Sequence, residues 1–308
     1  MTGGNIDMPF TQGNENRSEI RRAELWLLVV MLVWAANYPL AKFALERLNP
    51  FIFNSIRFIV AAAILALPFL RSERHWLRVG REDIPKLFRA GFVANVVYQI
   101  FFIIGLSMTT AGNSAVLLST SPLWTVFLNA RLHKEKIQPM MWGGMLISLT
   151  GVVLIVVGSG KKFGFGGQEF FGDVIALVAA ALWGLNTNLQ KPLLVRYSPL
   201  QLALIMVSIG AVGLTLTAIP SAVMLNWTTV SWQAVLAAVL SGAFSIGIAN
   251  TIWSNGVRRL GPGRTANFNN LVPVLAFIIS YFTLHEELLP IQFAGAAVTI
   301  VGVWIARR

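Results

Sequence analysis

Four times in this sequence an aromatic side chain and an amide stand three residues apart: Trp34 and Asn37, Trp183 and Asn186, Gln99 and Phe102, Asn250 and Trp253. Residues at i and i+3 of a helix point the same way, so each pair presents one ring and one amide to a single neighbour. Such a pair has no nucleophile and no proton to trade. What it offers is binding, by ring contact and hydrogen bonds. Tyr38 and Tyr98, next to Asn37 and Gln99, add two phenols. All of these lie inside apolar stretches, where an amide facing lipid is costly, so the faces turn toward protein or a wet cavity. Interhelical hydrogen bonding and ring packing make the same demand.

Three further features sit at membrane depth. Arg57 is the one basic residue deep in an apolar stretch, and an intramembrane charge points to function. It either meets a substrate carboxylate through a bidentate pair, ties to backbone carbonyls, or snorkels outward. Pro122 and Pro273 each remove a helix hydrogen bond, freeing the carbonyls of Leu118 and Asn269. Polar residues crowd before both, and Asn267 and Asn270 join the candidate substrate contacts, since broken backbone is tolerated where it lines a cavity. Lys42 and Lys191, near helix ends, read as anchors or as gate contacts.

Some chemistry is missing. No Asp or Glu falls near the middle of an apolar stretch, His75, His133 and His285 are peripheral, and the 308 residues include no Cys. That removes thiol redox chemistry and thiolate metal sites, and leaves no buried carboxylate relay for protons. No phosphate loop, metal triad or nucleophile–base pair stands at recognisable spacing. No cofactor or metal is expected, and the chain reads as a non-enzyme. A membrane-embedded lipid-modifying enzyme, the alternative from another class, needs clustered acids or histidines.

The elements that hold these residues follow from composition. The chain is 56% hydrophobic and 12% charged, with a mean hydropathy of +0.67, whereas soluble domains carry roughly 25% charged residues. Apolar windows long enough to cross a hydrocarbon layer of roughly 30 Å recur near 25–45, 51–70, 90–108, 113–131, 138–158, 171–193, 200–221, 232–255, 264–284 and 289–306. The expected fold is an all-α polytopic membrane protein with ten transmembrane helices. Residues 1–23 read as a disordered cytoplasmic tail. With that tail inside, nineteen of the 24 Lys and Arg fall on the cytoplasmic side, which places both termini there. The net charge of +11 is spread over loops between apolar segments, which argues for a lipid bilayer and against nucleic acid as partner.

The chain also repeats itself. Trp34, Asn37, Lys42, Arg47 and Pro50 align without a gap to Trp183, Asn186, Lys191, Arg196 and Pro199. Gly91, Gly105, Pro122, Glu135, Pro139, Gly144 and Gly151 align to Gly242, Gly256, Pro273, Glu286, Pro290, Gly295 and Gly302. Two five-helix units result, over 24–160 and 170–308. Five is odd, so the second enters the membrane from the opposite face, and inverted repeats place a substrate site near the midplane. The small residues at Gly144, Ser148, Gly151, Gly295, Thr299 and Gly302 allow close helix approach, within the fold or in a weak homodimer of an otherwise monomeric chain.

Trp34-x-x-Asn37-x-x-x-x-Lys42, the run Asn54-Ser55-Ile56-Arg57-Phe58, the segment from Pro122 to Glu135, and Glu286, Pro290 and Gly295 carry a resemblance over residues 24–306. The chain resembles the EamA-type permeases of the drug/metabolite transporter superfamily. The resemblance implies a multi-pass protein of the bacterial cytoplasmic (inner) membrane that works by alternating access around a central cavity. It further implies export of small metabolites, foremost aromatic or other neutral amino acids and related amphipathic compounds, with multidrug or dye efflux as the alternative.

Overall fold

A computed structural model describes residues 14–70, 79–108, 114, 117–134, 138–158, 167–284 and 289–306. Among the described residues the chain forms ten long helical segments and no strand. They are α1 (Asn14–Leu45), α2 (Pro50–Leu70), α3 (Arg81–Met108), α4 (Ser121–His133) and α5 (Pro139–Gly158). The second half holds α6 (Gly167–Leu193), α7 (Pro199–Met224), α8 (Trp232–Leu260), α9 (Pro262–Asn267, Phe268–Asn270 and Leu271–Leu284) and α10 (Pro290–Ala306). Six of these, α1, α2, α3, α6, α7 and α8, are long and apolar enough to cross a membrane, and Pro139–Ile155 and Pro290–Ala306 are shorter apolar helices.

Helix ends follow local chemistry. The side chain of Asn49 accepts from the Phe51 amide ahead of α2, and that of Ser198 accepts from the Gln201 amide ahead of α7. Each is followed by a proline at the first helical position, where the missing N–H costs nothing. Gly261 (φ 81°) ends α8 in a conformation that L side chains rarely adopt, and Pro262 starts α9 at once. Two boundaries differ from the sequence expectation. Helix α1 begins at Asn14 and α3 at Arg81, because helical hydrogen bonding continues through polar first turns that an apolar window omits.

The surface is inverted relative to a soluble protein. Leu25, Leu32, Val212, Leu216, Val223, Met224 and Trp304 point outward, while Asn54, Arg57, Asn95, Gln99, Asn186, Gln190 and Ser254 are buried. Hydrocarbon offers polar groups no partners, so they turn inward.

The pairing of α5 with α10, the most extensive helix contact, establishes that the copies are inverted. Gly144 abuts Ala306, Ser148 abuts Gly302, Gly151 abuts Thr299 and Ile155 abuts Gly295, so the helices run antiparallel. Exchanging each residue for its counterpart in the other copy turns the Gly144–Ala306 contact into Gly295–Ile155, and Ser148–Gly302 into Thr299–Gly151. A two-fold axis across the helix pair does this. The small-residue stripe is therefore used within the fold.

The copies are interlaced rather than side by side. Helix α1 packs on α8 and α9, as its counterpart α6 packs on α3 and α4, while α2 lies against α7 and α8. At the start of α3 a polar clasp joins the copies. The buried Asp83 carboxylate accepts from Arg196 Nη1 (2.6 Å), Tyr197 Oη (3.0 Å) and Lys86 Nζ (3.4 Å). The hydrogen bond to Asp83 holds the Arg196 guanidinium above its ordinary range, and burial pushes the Tyr197 phenol up, keeping it a neutral donor. Arg196 also meets Glu82 at 3.1 Å, with both side chains exposed.

Two stability predictions follow from these contacts. A Cβ on Gly302 would fall 2.6 Å from Ser148 Cα, whereas one on Gly143 meets nothing within 4 Å. Gly302→Leu is expected to destabilise by about 1–3 kcal/mol and Gly143→Leu to leave the thermal midpoint of the purified protein unchanged; equal effects would contradict the α5–α10 packing. In the clasp, Asp83→Asn is expected to lower the midpoint clearly. Glu82→Ala should not move it, because exposed ion pairs contribute little.

Candidate functional site

The centre of the bundle is a layer of three tryptophans. Trp34 from α1, Trp183 from α6 and Trp253 from α8 meet at ring-centroid distances of 5.4 Å (Trp34–Trp183), 5.2 Å (Trp34–Trp253) and 5.4 Å (Trp183–Trp253). Trp34 and Trp183 are counterparts in the two copies, so the pseudo-two-fold passes between them. Trp34 Nε1 donates to the Ser245 carbonyl at 3.1 Å, while the Nε1 atoms of Trp183 and Trp253 are buried without a partner. Ser245 lies in a π-helical segment of α8, Ser241–Ile248, whose counterpart in α3 is the π segment Val93–Val97. Wide turns of this kind are frequent at functional sites. The aromatic surface continues along α3, from Trp183 to Tyr98 (5.1 Å), then to Phe102 (5.9 Å), and across to Tyr38 on α1 (6.4 Å).

Next to Trp183, toward the α6–α7 turn, lies a cavity of about 20 Å³ lined by Asn95, Asn186, Gln190, Asn250 and Ser254. It has room for roughly one water. Its polar wall is a relay of hydrogen bonds: Ser254 Oγ donates to Gln190 Oε1 (2.7 Å), and Gln190 Nε2 donates to Asn186 Oδ1 (2.9 Å). The apolar cluster that holds the tryptophans also contains Leu87, Leu193, Leu194 and Val257, which sit near the helix ends on that side. No charged side chain lines the cavity.

On the opposite side of the tryptophans stand the counterparts of these residues. Asn37 Oδ1 accepts from Ser241 Oγ. Gln99 is buried, and its Oε1 has no partner. Arg57 is only 3% exposed, which rules out snorkelling. Its Nη1 donates to Asn54 Oδ1 (2.9 Å), the guanidinium lies 5.0 Å from the centre of the Phe53 ring, and Nε is buried without a partner. Gly242 packs directly on the Arg57 backbone, where a Cβ would fall 2.8 Å from Arg57 Cα.

Trp34, Asn37, Tyr38, Tyr98, Phe102, Trp183, Asn186, Asn250 and Trp253 are thus brought to the aromatic layer or the polar groups flanking it. Asn267 and Asn270 are not. Asn267 Nδ2 donates to the Val303 carbonyl (3.1 Å) and Asn270 Nδ2 to Ser148 Oγ, so this face of α9 is turned to α10 and α5. Crowded amides announce a buried face without saying which neighbour it meets. Pro122 begins α4 after a turn at Ser119–Thr120, rather than kinking a continuous span. Pro273 follows the 3-10 turn Phe268–Asn270, and the two breaks correspond between copies. Asn269 Nδ2 reaches Ser121 Oγ at 3.3 Å and links them. Lys191 is half-buried in the last turn of α6, and the side chain of Lys42 lies outside the described residues.

Gln190, Ser254 and Asn95 are not among the site residues read from the sequence, and Asn54 enters only as part of the run Asn54-Ser55-Ile56-Arg57-Phe58. Their counterparts are Ala41, Ile103, Ile246 and Ala203, so a search for residues shared by the copies passes over them. Spacing does mark two of them: Gln190 lies one turn beyond Asn186, and Ser254 one turn beyond Asn250.

Comparison with known proteins agrees with this architecture. The profile of the EamA-like transporter family matches residues 21–157 and again 170–308. An uncharacterized transporter of Archaeoglobus fulgidus is 27% identical over 92% of this chain and 96% of its own length. A probable terminal-alkyne amino-acid exporter of Streptantibioticus cattleyicolor is 26% identical over 92% and 93%. A solved crystal structure covers 93% of this chain and 96% of its own at a TM-score of 0.76 and 19% identity, a likeness of fold. With two copies of the family's unit filling nearly the whole chain, the protein is a multi-pass membrane protein of the EamA-like transporter family, and a transporter rather than an enzyme.

Proposed function

We propose that the protein exports small amphipathic metabolites, neutral and aromatic amino acids foremost, by alternating access around the tryptophan layer. The observation that carries this is the position of Trp34, Trp183 and Trp253, between a neutral amide cavity on one side and its counterpart groups on the other. A solute with a ring and a polar head matches such a wall: the ring packs against the aromatic surface, and the head takes hydrogen bonds from Asn186, Gln190 and Ser254. The exporter-type relative gives independent support, since its named cargo is an amino acid. With both termini cytoplasmic, the cavity beside Gln190 belongs to the cytoplasmic half. Widening it toward that face would part the apolar cluster that includes Leu87, Leu193, Leu194 and Val257. The moving bodies are then the interlaced groups α1–α2–α8–α9 and α3–α4–α6–α7, each drawn from both copies, against the α5–α10 pair. Because the small-residue stripe is occupied by that pair, a monomer is sufficient. Direction comes from the solute gradient or a coupling ion, since a ligand with equal affinity for both states shifts nothing.

The test is flux in liposomes holding the purified protein, with labelled neutral and aromatic amino acids and cationic dyes, with and without a pH gradient. Saturable amino-acid flux is expected, and Asn186→Ala and Gln190→Ala should each reduce it at least tenfold in folded protein. Dye flux alone would move the assignment to drug efflux. Flux of none of these solutes, or undiminished flux in both variants, would refute the proposal.

A further inference from the structure

We infer that Arg57 and Asn54 form an anion subsite that takes the carboxylate of the transported solute, a role that rests on the transport function proposed above. A buried guanidinium carries five N–H donors in a planar fork suited to a carboxylate. Here one protein acceptor is seen, Asn54 Oδ1, and Nε has none. Among the described residues Arg57 makes no ion pair, and α2 contains no Asp or Glu from Pro50 to Leu70. Among the described residues the charge has no internal counter-charge in this hydrocarbon-facing bundle, the situation in which such a group marks a ligand pathway.

The repeat supplies the control that separates a structural arginine from a binding one. The counterpart of Arg57 is Met206. Gly91 packs on the Met206 backbone, a Cβ there falling 3.2 Å from Met206 Cα, just as Gly242 packs on that of Arg57. The same glycine cradle therefore accepts a methionine in the other copy, so the architecture has no need of the cation. Met206 also lines the neutral cavity. The two half-sites match at Trp34 and Trp183, at Asn37 and Asn186, and as amides at Gln99 and Asn250, but one alone holds a charge. The ring surface next to it suits the rest of an amphipathic acid. Phe53 lies under the guanidinium, and Tyr98, Phe102 and Tyr38 form a continuous ring surface in the same half. The half-sites must then differ in affinity for a carboxylate, which gives a bound acid a preference between the two facing states.

The test uses the purified full-length protein and three acid–amide pairs: 3-phenylpropionate and 3-phenylpropionamide, L-phenylalanine and L-phenylalaninamide, acetate and acetamide. Binding is read from ligand-dependent thermal midpoints. At least one acid is expected to bind wild type tenfold or more tightly than its amide. Arg57→Met, the residue its counterpart already carries, should abolish that preference. Asn54→Asp, which supplies an internal counter-charge at the same distance, should abolish it too while raising the midpoint without ligand. Acids and amides bound alike by wild type, binding of none of the acids, or a preference surviving Arg57→Met would each overturn the subsite. Failure of the transport function itself is distinguishable: liposome flux would then be absent for every solute, while acid–amide preference in detergent would still report on Arg57.

Discussion

Inside hydrocarbon no water is available to pair a polar group, and this constraint organises the whole protein. An unpaired buried polar group costs about 1–3 kcal/mol by mutational measures, so the amides and hydroxyls of α1, α2, α3, α6 and α8 are gathered inward and largely spent on one another. Ser254, Gln190 and Asn186 form one such chain, and Ser241 with Asn37 another. Some groups are left over. Nε1 of Trp183 and Trp253, Oε1 of Gln99 and Nε of Arg57 are buried without partners, as are Oδ1 of Asn188, Asn267 and Asn270; of these, the two indoles belong to the tryptophan layer itself.

Inversion explains how one sequence unit makes two different half-sites. The axis passes between α5 and α10 and between Trp34 and Trp183, so those places are symmetric by necessity: glycine and serine or threonine for close approach, indole for the shared layer. Away from the axis the copies are free to diverge. Divergence puts Gln190 opposite Ala41, Ser254 opposite Ile103 and Arg57 opposite Met206. Identity between the copies is greatest at the axis, and difference between them grows away from it.

Much of this was legible in the residues. Ten helices follow from apolar length, the two units from Trp34, Asn37, Pro50 and their counterparts, and the inward faces from amides spaced three apart. Other features leave no such trace. The polar opening of α3 at Arg81–Glu82–Asp83 continues the helix without continuing the apolar run. The π segments of α3 and α8 have ordinary composition, since a wider turn is decided by packing. The amides of α9 looked like cavity residues, but rotation of a helix about its own axis is fixed by its neighbours, and here these are α5 and α10. Burial, not sequence, separated the three readings of Arg57 by eliminating the snorkel. The Asp83–Arg196–Tyr197 clasp joins residues more than a hundred positions apart and has no local signature.

In alternating access the tryptophan layer is a barrier with one side open at a time. Because the chain has no native Cys, single cysteines at Ser254 and Gln99 report on the two half-sites without background. Their modification by a membrane-impermeant reagent would be measured in right-side-out and inside-out vesicles, with and without a transported amino acid. Ser254→Cys is expected to react from the cytoplasmic face and Gln99→Cys from the outer face, with solute changing the two rates in opposite directions. Reaction of both positions from one face, or rates that rise and fall together, would contradict alternating access at this layer.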